Sequence, residues 1–291
     1  MTAGTGNRER GTPAESLVLD ATPPFDLART LSCGQVFRWT VRDHGARGVF
    51  EGKPVELRQH GGRIEVVGLA VPDDLARFTK YLGLDQPLSR VERQLRADRV
   101  LGRLLPSTTG IALIRQEPWE CLVSFVVSAF NNIPKIEMTL DRLCRRYGEP
   151  LGDGAWSFPT PTRLAGAPLH GLRECLLGYR APYVRDIARR VDSGKVDLRI
   201  PSTLLYDEAR RLLLDLPGVG EKVADCVLLF AYGKGEAFPV DVWVRRAVER
   251  WYFRGKPKSV RDIRAFARER FGGLAGHAQQ HLFYYARQRR I

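Results

Sequence analysis

The chain has 291 residues, which is enough to bury a sizeable core and to form two or three subdomains. Its 46 Lys and Arg residues outnumber 33 Asp and Glu residues, and this net charge of +13 favours an anionic partner, first nucleic acid and second an acidic membrane surface. No apolar run reaches the ~20 residues of a membrane span, and five cysteines without C-x-x-C spacing argue against a disulfide framework or a zinc ribbon.

The N-terminal part of the chain shows the alternation typical of short strands. Residues 1–15 are polar and predict a disordered tail. Apolar and polar residues alternate over 36–42, 49–57 and 64–67, with Gly and Asp between these runs. This pattern predicts hairpins, and hence an antiparallel β domain with helices over 16–115.

Helical patterns dominate from Pro72 onward. Pro118 begins an apolar helix, and the stretch 259–289 has helical spacing with arginines on its exposed positions. We therefore expect a helical domain over 116–291. A sheet domain followed by a helical body is the α+β class.

The segment 216–226 carries the most informative motif, Leu-Pro-Gly-Val-Gly-Glu-Lys-Val-Ala-Asp-Cys, between two apolar helical stretches in 204–232. Gly218 and Gly220 permit a tight turn, and the free N–H groups of the following helix would bind an anion such as a DNA phosphate. A plain turn between two helices is the alternative interpretation.

A lysine and an aspartate near this turn form a candidate catalytic pair. Lys222 lies in the first turn of the second helix, where the helix dipole and partial burial would lower the pKa of its amine and raise its nucleophilicity. Asp241 precedes the next helical run. It can act as an N-cap, or it can take part in proton transfer and stabilise positive charge on a sugar.

The hairpin, the lysine and the aspartate, in this order, resemble the helix-hairpin-helix DNA glycosylase superfamily. In that superfamily the aspartate is the shared catalytic residue, and the lysine marks the bifunctional members. No cysteine follows Cys226, so we do not expect the iron–sulfur cluster of the endonuclease III branch. Alkylation glycosylases lack the lysine, so Lys222 argues against them.

Further segments resemble the 8-oxoguanine DNA glycosylase family. They are Cys-Gly-Gln-Val-Phe-Arg-Trp at 33–39, the apolar helix and asparagines of 121–133, and Leu-Gly-Tyr-Arg-Ala at 177–181, the wedge loop of the family. The stretch 276–283 fits its closing helix. This resemblance covers nearly the whole chain, and it implies a glycosylase and AP lyase that excises 8-oxoguanine from duplex DNA in base excision repair.

The resemblance also implies a set of base-binding residues. 8-Oxoguanine carries a hydrogen on N7, which the carbonyl of Gly34 would accept while repelling the lone pair of guanine. Gln279 and Phe283 share a helix face, where an amide can bind the Watson–Crick edge and a ring can stack on a flipped base. Cys226 would flank the other face of the base. A β-turn glycine and a core phenylalanine are the alternative interpretations.

The predicted DNA contacts come from the wedge loop, the hairpin and their neighbours. Tyr179 would fill the gap left by the flipped nucleotide, Arg180 would contact the estranged base opposite it, and Asn132 would lie near the extruded strand. The remaining predicted contacts are Gly218, Gly220 and Val242.

This sequence departs from the family pattern at three positions. Phe130 replaces the first of three asparagines, and Lys135 replaces an arginine that contacts the estranged cytosine. Both changes weaken the case for a strict cytosine preference. Trp243 replaces a histidine that touches phosphate, which alters a DNA contact and not the chemistry.

The implied mechanism needs only side chains of the protein. Lys222 would attack C1′, expel the base and form a Schiff base with the sugar, after which β-elimination breaks the strand. Asp241 would assist the first step. No cofactor is required, although the carbonyls of Leu214, Leu216 and Val219 are expected to bind a structural monovalent cation, K⁺ or Na⁺, as in relatives.

We expect a monomer that acts on double-stranded DNA containing 8-oxoguanine, without membrane association. The cysteine usage suits the cytoplasm or nucleoid, or the nucleus if the source is eukaryotic. Two other functions stay open at this point. One is a glycosylase for another damaged purine, and the other is a non-catalytic DNA-binding protein that uses the hairpin as a clamp.

Overall fold

The computed structural model describes residues 16–43, 45–69 and 72–291, so the tail predicted for 1–15 lies outside the described residues. A five-stranded antiparallel sheet precedes a helical body, which confirms the α+β prediction. Within the described ranges, no helix is long and apolar enough to cross a membrane.

The N-terminal sheet has the strand order β1-β5-β4-β3-β2. Leu57, Ile64 and Val66 are fully buried on one face, where they pack under the neighbouring helices. The strands are β1 (Ser16–Asp20), β2 (Thr40–Arg42), β3 (Gly45–Phe50), β4 (Lys53–His60) and β5 (Arg63–Val67).

The strand predicted over 36–42 is wrong in its first half, since only Thr40–Arg42 forms a strand. Phe37 packs in the helical core, whereas Val36 and Trp39 pack in the core of the sheet. A segment that passes between two cores points successive side chains in different directions. Its sequence therefore shows the same alternation as a strand with one buried face.

The rest of the described chain contains fifteen α-helices, two 3₁₀ helices (Gly178–Arg180 and Gly272–Leu274) and a small hairpin of β6 (Pro150–Gly152) and β7 (Ala155–Trp156). The predicted boundary between 115 and 116 falls in the extended segment before α5. The helices are α1 (Leu27–Ser32), α2 (Pro72–Tyr81), α3 (Leu88–Leu95), α4 (Arg99–Thr108), α5 (Pro118–Ser128), α6 (Ile133–Tyr147), α7 (Pro161–Ala165), α8 (Leu169–Glu174), α9 (Ala181–Asp192), α10 (Ile200–Thr203), α11 (Tyr206–Leu214), α12 (Glu221–Phe230), α13 (Val242–Tyr252), α14 (Val260–Phe271) and α15 (Ala275–Arg289).

The stretch predicted as helical over 259–289 forms two helices. Gly272 ends α14 with φ +52°, a left-handed backbone that glycine adopts without a steric penalty. This break lets α15 turn back and pack against α4 and α13. Its buried Gly276 lies so close to Leu229 of α12 that a side chain at 276 would clash.

The helical body is built around α5 and α12, which pack against each other along buried apolar faces. Phe125 of α5 stacks on Phe230 of α12, with ring centroids 5.5 Å apart. A polar cluster holds the other side of α12. The buried carboxylate of Asp225 accepts from the hydroxyl of Tyr206 at 2.6 Å and pairs with Arg210 at 3.1 Å.

One buried amide connects the sheet domain to the segment before α5. Gln35 Nε2 donates to the carbonyls of Thr30 at 2.9 Å and Ala112 at 2.8 Å, and its Oε1 accepts from the N–H of Ile114 at 3.0 Å. Gln116 Nε2 donates in turn to the backbone carbonyl of Gln35 at 2.7 Å. These bonds fix the backbone directly after Gly34.

Gln35→Leu should destabilise the fold by about 3 kcal/mol, because it leaves the buried carbonyl of Ala112 and N–H of Ile114 without partners and removes one of two donors to the Thr30 carbonyl. Urea unfolding measures the loss. Gln94→Leu on the exposed face of α3 is the matched control, with an expected change within about 0.5 kcal/mol. Equal midpoints for the two variants would contradict the role assigned to Gln35.

Candidate active site

The hairpin of 216–220 presents Lys222 at the start of α12. The side chain is half-buried, and its Nζ donates to the Oγ of Ser128 at 3.0 Å. The same nitrogen lies 4.8 Å from the centre of the Phe125 ring. Among the described residues, no carboxylate lies within salt-bridge distance of this amine. The amine is therefore held by a hydroxyl and a ring, and it need not leave an ion pair to react.

Asp241 provides a negative charge near this amine. It is the N-cap of α13, and its Oδ1 accepts from the N–H of Val244 at 2.8 Å. Burial raises the pKa of the Asp241 carboxyl, while the Val244 N–H and the Lys222 ammonium oppose that shift. Lys222 and Asp241 thus interact electrostatically without a direct ion pair. Asp241 also caps α13.

Cys226 lies one turn after Lys222 on the buried side of α12. Burial raises the pKa of its thiol to about 12, and the nearby Lys222 amine opposes this shift. The thiol is neutral at physiological pH, so it contributes a small apolar surface beside the amine.

Gly34 lies against the C-terminal helix, where the structure brings it together with Phe283. Its φ is +88°, and a Cβ at this position would lie 3.1 Å from Phe283 Cε1 and 3.2 Å from Arg287 Nη1. Both the backbone conformation and the close approach require glycine. Phe283 therefore lies against Gly34, whereas Cys226 lies beside Lys222 on α12.

The same face of α15 carries buried polar atoms that have no hydrogen-bond partner among the described residues. Gln279 is only 4% exposed, and its Oε1 has no hydrogen-bond partner among the described residues. Arg287 Nη1 likewise has no partner there, although Nη2 donates to the carbonyl of Ser32 at 3.1 Å. Buried polar groups without partners cost free energy, and they are typical of sites that a ligand completes.

The neighbouring glutamine has a different task. Gln280 Nε2 donates to the carbonyl of Cys33 at 3.1 Å and lies 3.0 Å from its Sγ. This bond ties α15 to the residue before Gly34. Gln279 instead has a buried Oε1 without a partner among the described residues, which suits its predicted base-binding role.

A groove of about 1400 Å³ is lined by residues of the sheet and α6, and also by Gly34 and Arg287. Lys222 and Asp241 do not line it. This groove is thus separate from the candidate nucleophile, and we place the reactive site by the side-chain geometry around Lys222 because that geometry includes the groups needed for chemistry.

The wedge loop contacts the turn between α5 and α6. Tyr179 is 56% exposed, and its hydroxyl lies 3.4 Å from the carbonyl of Ala129. Arg180 is only 6% exposed, and its guanidinium donates to the carbonyls of Ala129 and Phe130. Tyr179 is thus presented to solvent, whereas Arg180 is directed into the protein and would have to leave these carbonyls to contact a base.

The hairpin glycines have distinct environments. A Cβ on Gly218, with φ +76°, would lie 2.7 Å from the Tyr183 ring, whereas one on Gly220 would meet open space. Gly220 is also the N-cap residue of α12. Its open surroundings and the helix N–H groups suit a phosphate that approaches the backbone closely.

The remaining predicted residues lie at helix starts or in the turn. Asn132 is exposed and caps α6, with its Oδ1 accepting from the N–H of Lys135 at 3.0 Å. Val242 is 61% exposed at the start of α13. In the hairpin, the carbonyl of Leu216 accepts from the N–H of Val219 at 3.1 Å, and Leu214 is the last residue of α11.

Sequence reasoning did not identify four side chains that shape this site. Ser128 and Phe125 contact the Lys222 amine, and Ile133 and Arg287 lie against Gly34. Arg287 follows Phe283 by one helical turn, a spacing that could have suggested its position. The contacts of the other three depend on the packing of α5 and α6, which the sequence does not reveal.

Comparison with known proteins gives two family matches. Residues 16–122 match the model described as 8-oxoguanine DNA glycosylase, N-terminal domain. Residues 123–272 match a second family model, which is described as HhH-GPD superfamily base excision DNA repair protein.

Relatives match over most of the chain. A probable N-glycosylase/DNA lyase of Methanothermobacter thermautotrophicus is 35% identical over 91% of this chain and 94% of its own length. The N-glycosylase/DNA lyase of Saccharomyces cerevisiae is 32% identical over 78% of this chain and 68% of its own. The Clostridium acetobutylicum 8-oxoguanine glycosylase/lyase bound to DNA aligns with a TM-score of 0.90 and 32% identity, over 96% of this chain and 97% of that one.

Asp241→Asn should be at least as stable as the natural chain at pH 7. Asn keeps an oxygen that caps α13, and it removes a carboxylate whose charge is penalised by burial. Because the folded pKa is raised, this penalty grows as pH rises from 3.8 through the raised value and is constant above it. The advantage of Asn should therefore shrink in acid, which urea unfolding across pH measures.

Asp241→Ala is the matched comparison for this test, because it removes both the charge and the capping oxygen. Loss of the cap costs about 1 kcal/mol, so Ala should be less stable than Asn by that amount at every pH. Equal stability of the Asn and Ala variants would show that the cap seen at Val244 contributes nothing.

Proposed function

This chain belongs to the 8-oxoguanine DNA glycosylase family of helix-hairpin-helix base excision repair proteins, and we propose that it excises 8-oxoguanine from double-stranded DNA and then cuts the strand as an AP lyase. The observation that carries this proposal is the Lys222 amine at the hairpin, which Ser128 holds, which has no salt bridge to a described residue, and which lies in the field of Asp241. This pair supports a catalyst over a passive DNA clamp.

Lys222 is the nucleophile in the proposed reaction. Once deprotonated, its Nζ uses the lone pair to form a bond to C1′ of the sugar, while the bond from C1′ to the base breaks and its electrons pass to the base. Nζ then loses a proton, and the departing base gains one. Opening of the sugar ring then gives a Schiff base between Nζ and C1′. Removal of a C2′ proton drives β-elimination, which breaks the strand on the 3′ side of the lesion.

Asp241 assists the first of these steps. Positive charge develops on the sugar as the base departs, and a buried carboxylate stabilises such charge more strongly than one in water. The N–H of Val244 fixes the direction of this carboxylate through the cap bond of 2.8 Å. The charge is thus oriented before the reaction begins.

Recognition of the base is assigned to Gly34 and α15. The carbonyl of Gly34 accepts from N7–H of 8-oxoguanine, Phe283 stacks on the ring, and the free Oε1 of Gln279 accepts from the Watson–Crick edge. Guanine would place a lone pair against the Gly34 carbonyl, and this repulsion provides the discrimination.

DNA is held by charge and by the hairpin. A net charge of +13 attracts the phosphate backbone, and the N–H groups after Gly220 are placed to bind one phosphate. A monovalent cation on the carbonyls of Leu214, Leu216 and Val219 would stiffen this turn, and the chemistry itself requires no cofactor.

Lys222→Gln should abolish the covalent complex that borohydride traps with a duplex containing 8-oxoguanine, because the amide cannot form a Schiff base. DNA binding in a gel-shift assay should persist within about threefold, since the hairpin backbone is unchanged. Lys80→Gln, an exposed lysine at the end of α2, is the control and should trap as the natural chain does.

Undiminished trapping by Lys222→Gln would show that another amine is the nucleophile. A panel of duplexes with an oxidised, an alkylated or a ring-opened purine identifies the lesion. Preferred release of an alkylated base would replace 8-oxoguanine as the substrate. Binding without release of any base would favour the clamp.

Base release should fall as pH drops through the raised pKa of Asp241, because protonation removes the charge that assists departure of the base. Single-turnover rates from pH 4 to 8 measure this acid limb. Asp241→Asn should be slower by about 10²- to 10³-fold, and its rate should not fall further as the pH drops. An Asn variant with the rate of the natural chain would remove Asp241 from the mechanism.

A further inference from the structure

Phe130, in the turn between α5 and α6, combines two unfavourable features. Its side chain is 100% exposed, although aromatic rings usually gain by burial. Its φ is +50°, a left-handed conformation that is rare for a residue with a bulky side chain. Strained backbone and an exposed ring at one position are typical of a functional surface.

The turn holds this ring in a fixed frame. Arg180 donates to the carbonyls of Ala129 and Phe130, the latter at 3.3 Å. Asn131 Nδ2 donates to the carbonyl of Val127 at 3.2 Å, and Asn132 caps the helix that follows. The ring is therefore presented by a backbone that is hydrogen-bonded on both sides of it.

The exposed ring lies beside the proposed site. Ser128, two residues before it, binds the Lys222 amine. Tyr179 shares the carbonyl of Ala129 with Arg180, so both exposed rings extend from the contact between the wedge loop and the turn. Tyr183, whose ring centroid is 6.4 Å from that of Tyr179, continues this surface to the hairpin.

We propose that Phe130 enters the duplex and stacks on the estranged base opposite the lesion, and that 8-oxoguanine is consequently removed with little regard to which base it faces. This inference rests on the proposed function. Every base has a face on which an aromatic ring can stack, so stacking does not distinguish cytosine from the other three. Arg180, which could donate to cytosine, is buried against the turn carbonyls instead.

The first experiment measures single-turnover excision of 8-oxoguanine opposite C, A, G and T, and opposite an abasic site. The natural chain should act on the four base-containing duplexes at rates within about threefold of one another. Phe130→Ala should slow all four by roughly 10- to 100-fold, because each loses the same stacking contact, and Phe130→Trp should restore them. Opposite the abasic site, Phe130→Ala should change little, since no base is there to stack.

Val18→Ala, which shortens an exposed apolar residue of the distant β1, is the matched control and should leave all rates unchanged. Preference of the natural chain for cytosine by more than about 30-fold would overturn the inference. An unchanged Phe130→Ala variant would also overturn it. A loss that is equally large opposite the abasic site would indicate a structural role for the ring instead.

The second experiment reports stacking without catalysis. With Lys222→Gln as the background, a duplex carries 2-aminopurine opposite the lesion, and its fluorescence should be quenched on binding because the base stacks on the ring. Phe130→Ala should abolish this quenching. If the natural chain excises no base in the first experiment but the quenching depends on Phe130, the proposed reaction fails and the stacking role stands. Quenching that persists without the ring would overturn that role.

Discussion

The burial of α12 between two different surfaces fixes the position of Lys222, the proposed nucleophile. Apolar side chains of α5 cover one side, with Phe125 stacked on Phe230. On the other side, the buried carboxylate of Asp225 is paired with Arg210 and Arg264. A buried charge is tolerated only with such partners, so the helix can neither rotate nor slide without exposing it. Lys222 at its first turn is consequently fixed.

The backbone around Gly34, where base recognition is proposed, depends on a second set of contacts. Gln35 and Gln280 hold the residues on either side of Gly34, one from the sheet domain and one from α15. A carbonyl can distinguish 8-oxoguanine from guanine only if it does not move away from the unfavourable lone pair. The discrimination proposed for Gly34 therefore relies on amides that never touch the base.

Several groups at the site are costly for the isolated protein. The Oε1 of Gln279 and Nη1 of Arg287 lack partners among the described residues, Phe130 exposes its ring, and the Asp241 carboxylate is charged in a buried place. In the proposed complex, each becomes favourable because a base, a phosphate or a developing positive charge is present. Such local instability is expected where binding and chemistry take precedence over stability.

The sequence by itself determined the α+β class, the hairpin, and the positions of Lys222 and Asp241 on their helices, because glycine turns, caps and helical spacing are local properties. It did not distinguish the segment 36–39 from a strand, since passage between two cores produces the same alternation. Only the tertiary structure showed that Ser128 holds the amine, that Arg180 turns inward and that Phe130 turns outward. These depend on contacts between residues distant in sequence, whose geometry is set by helix packing and not by local pattern.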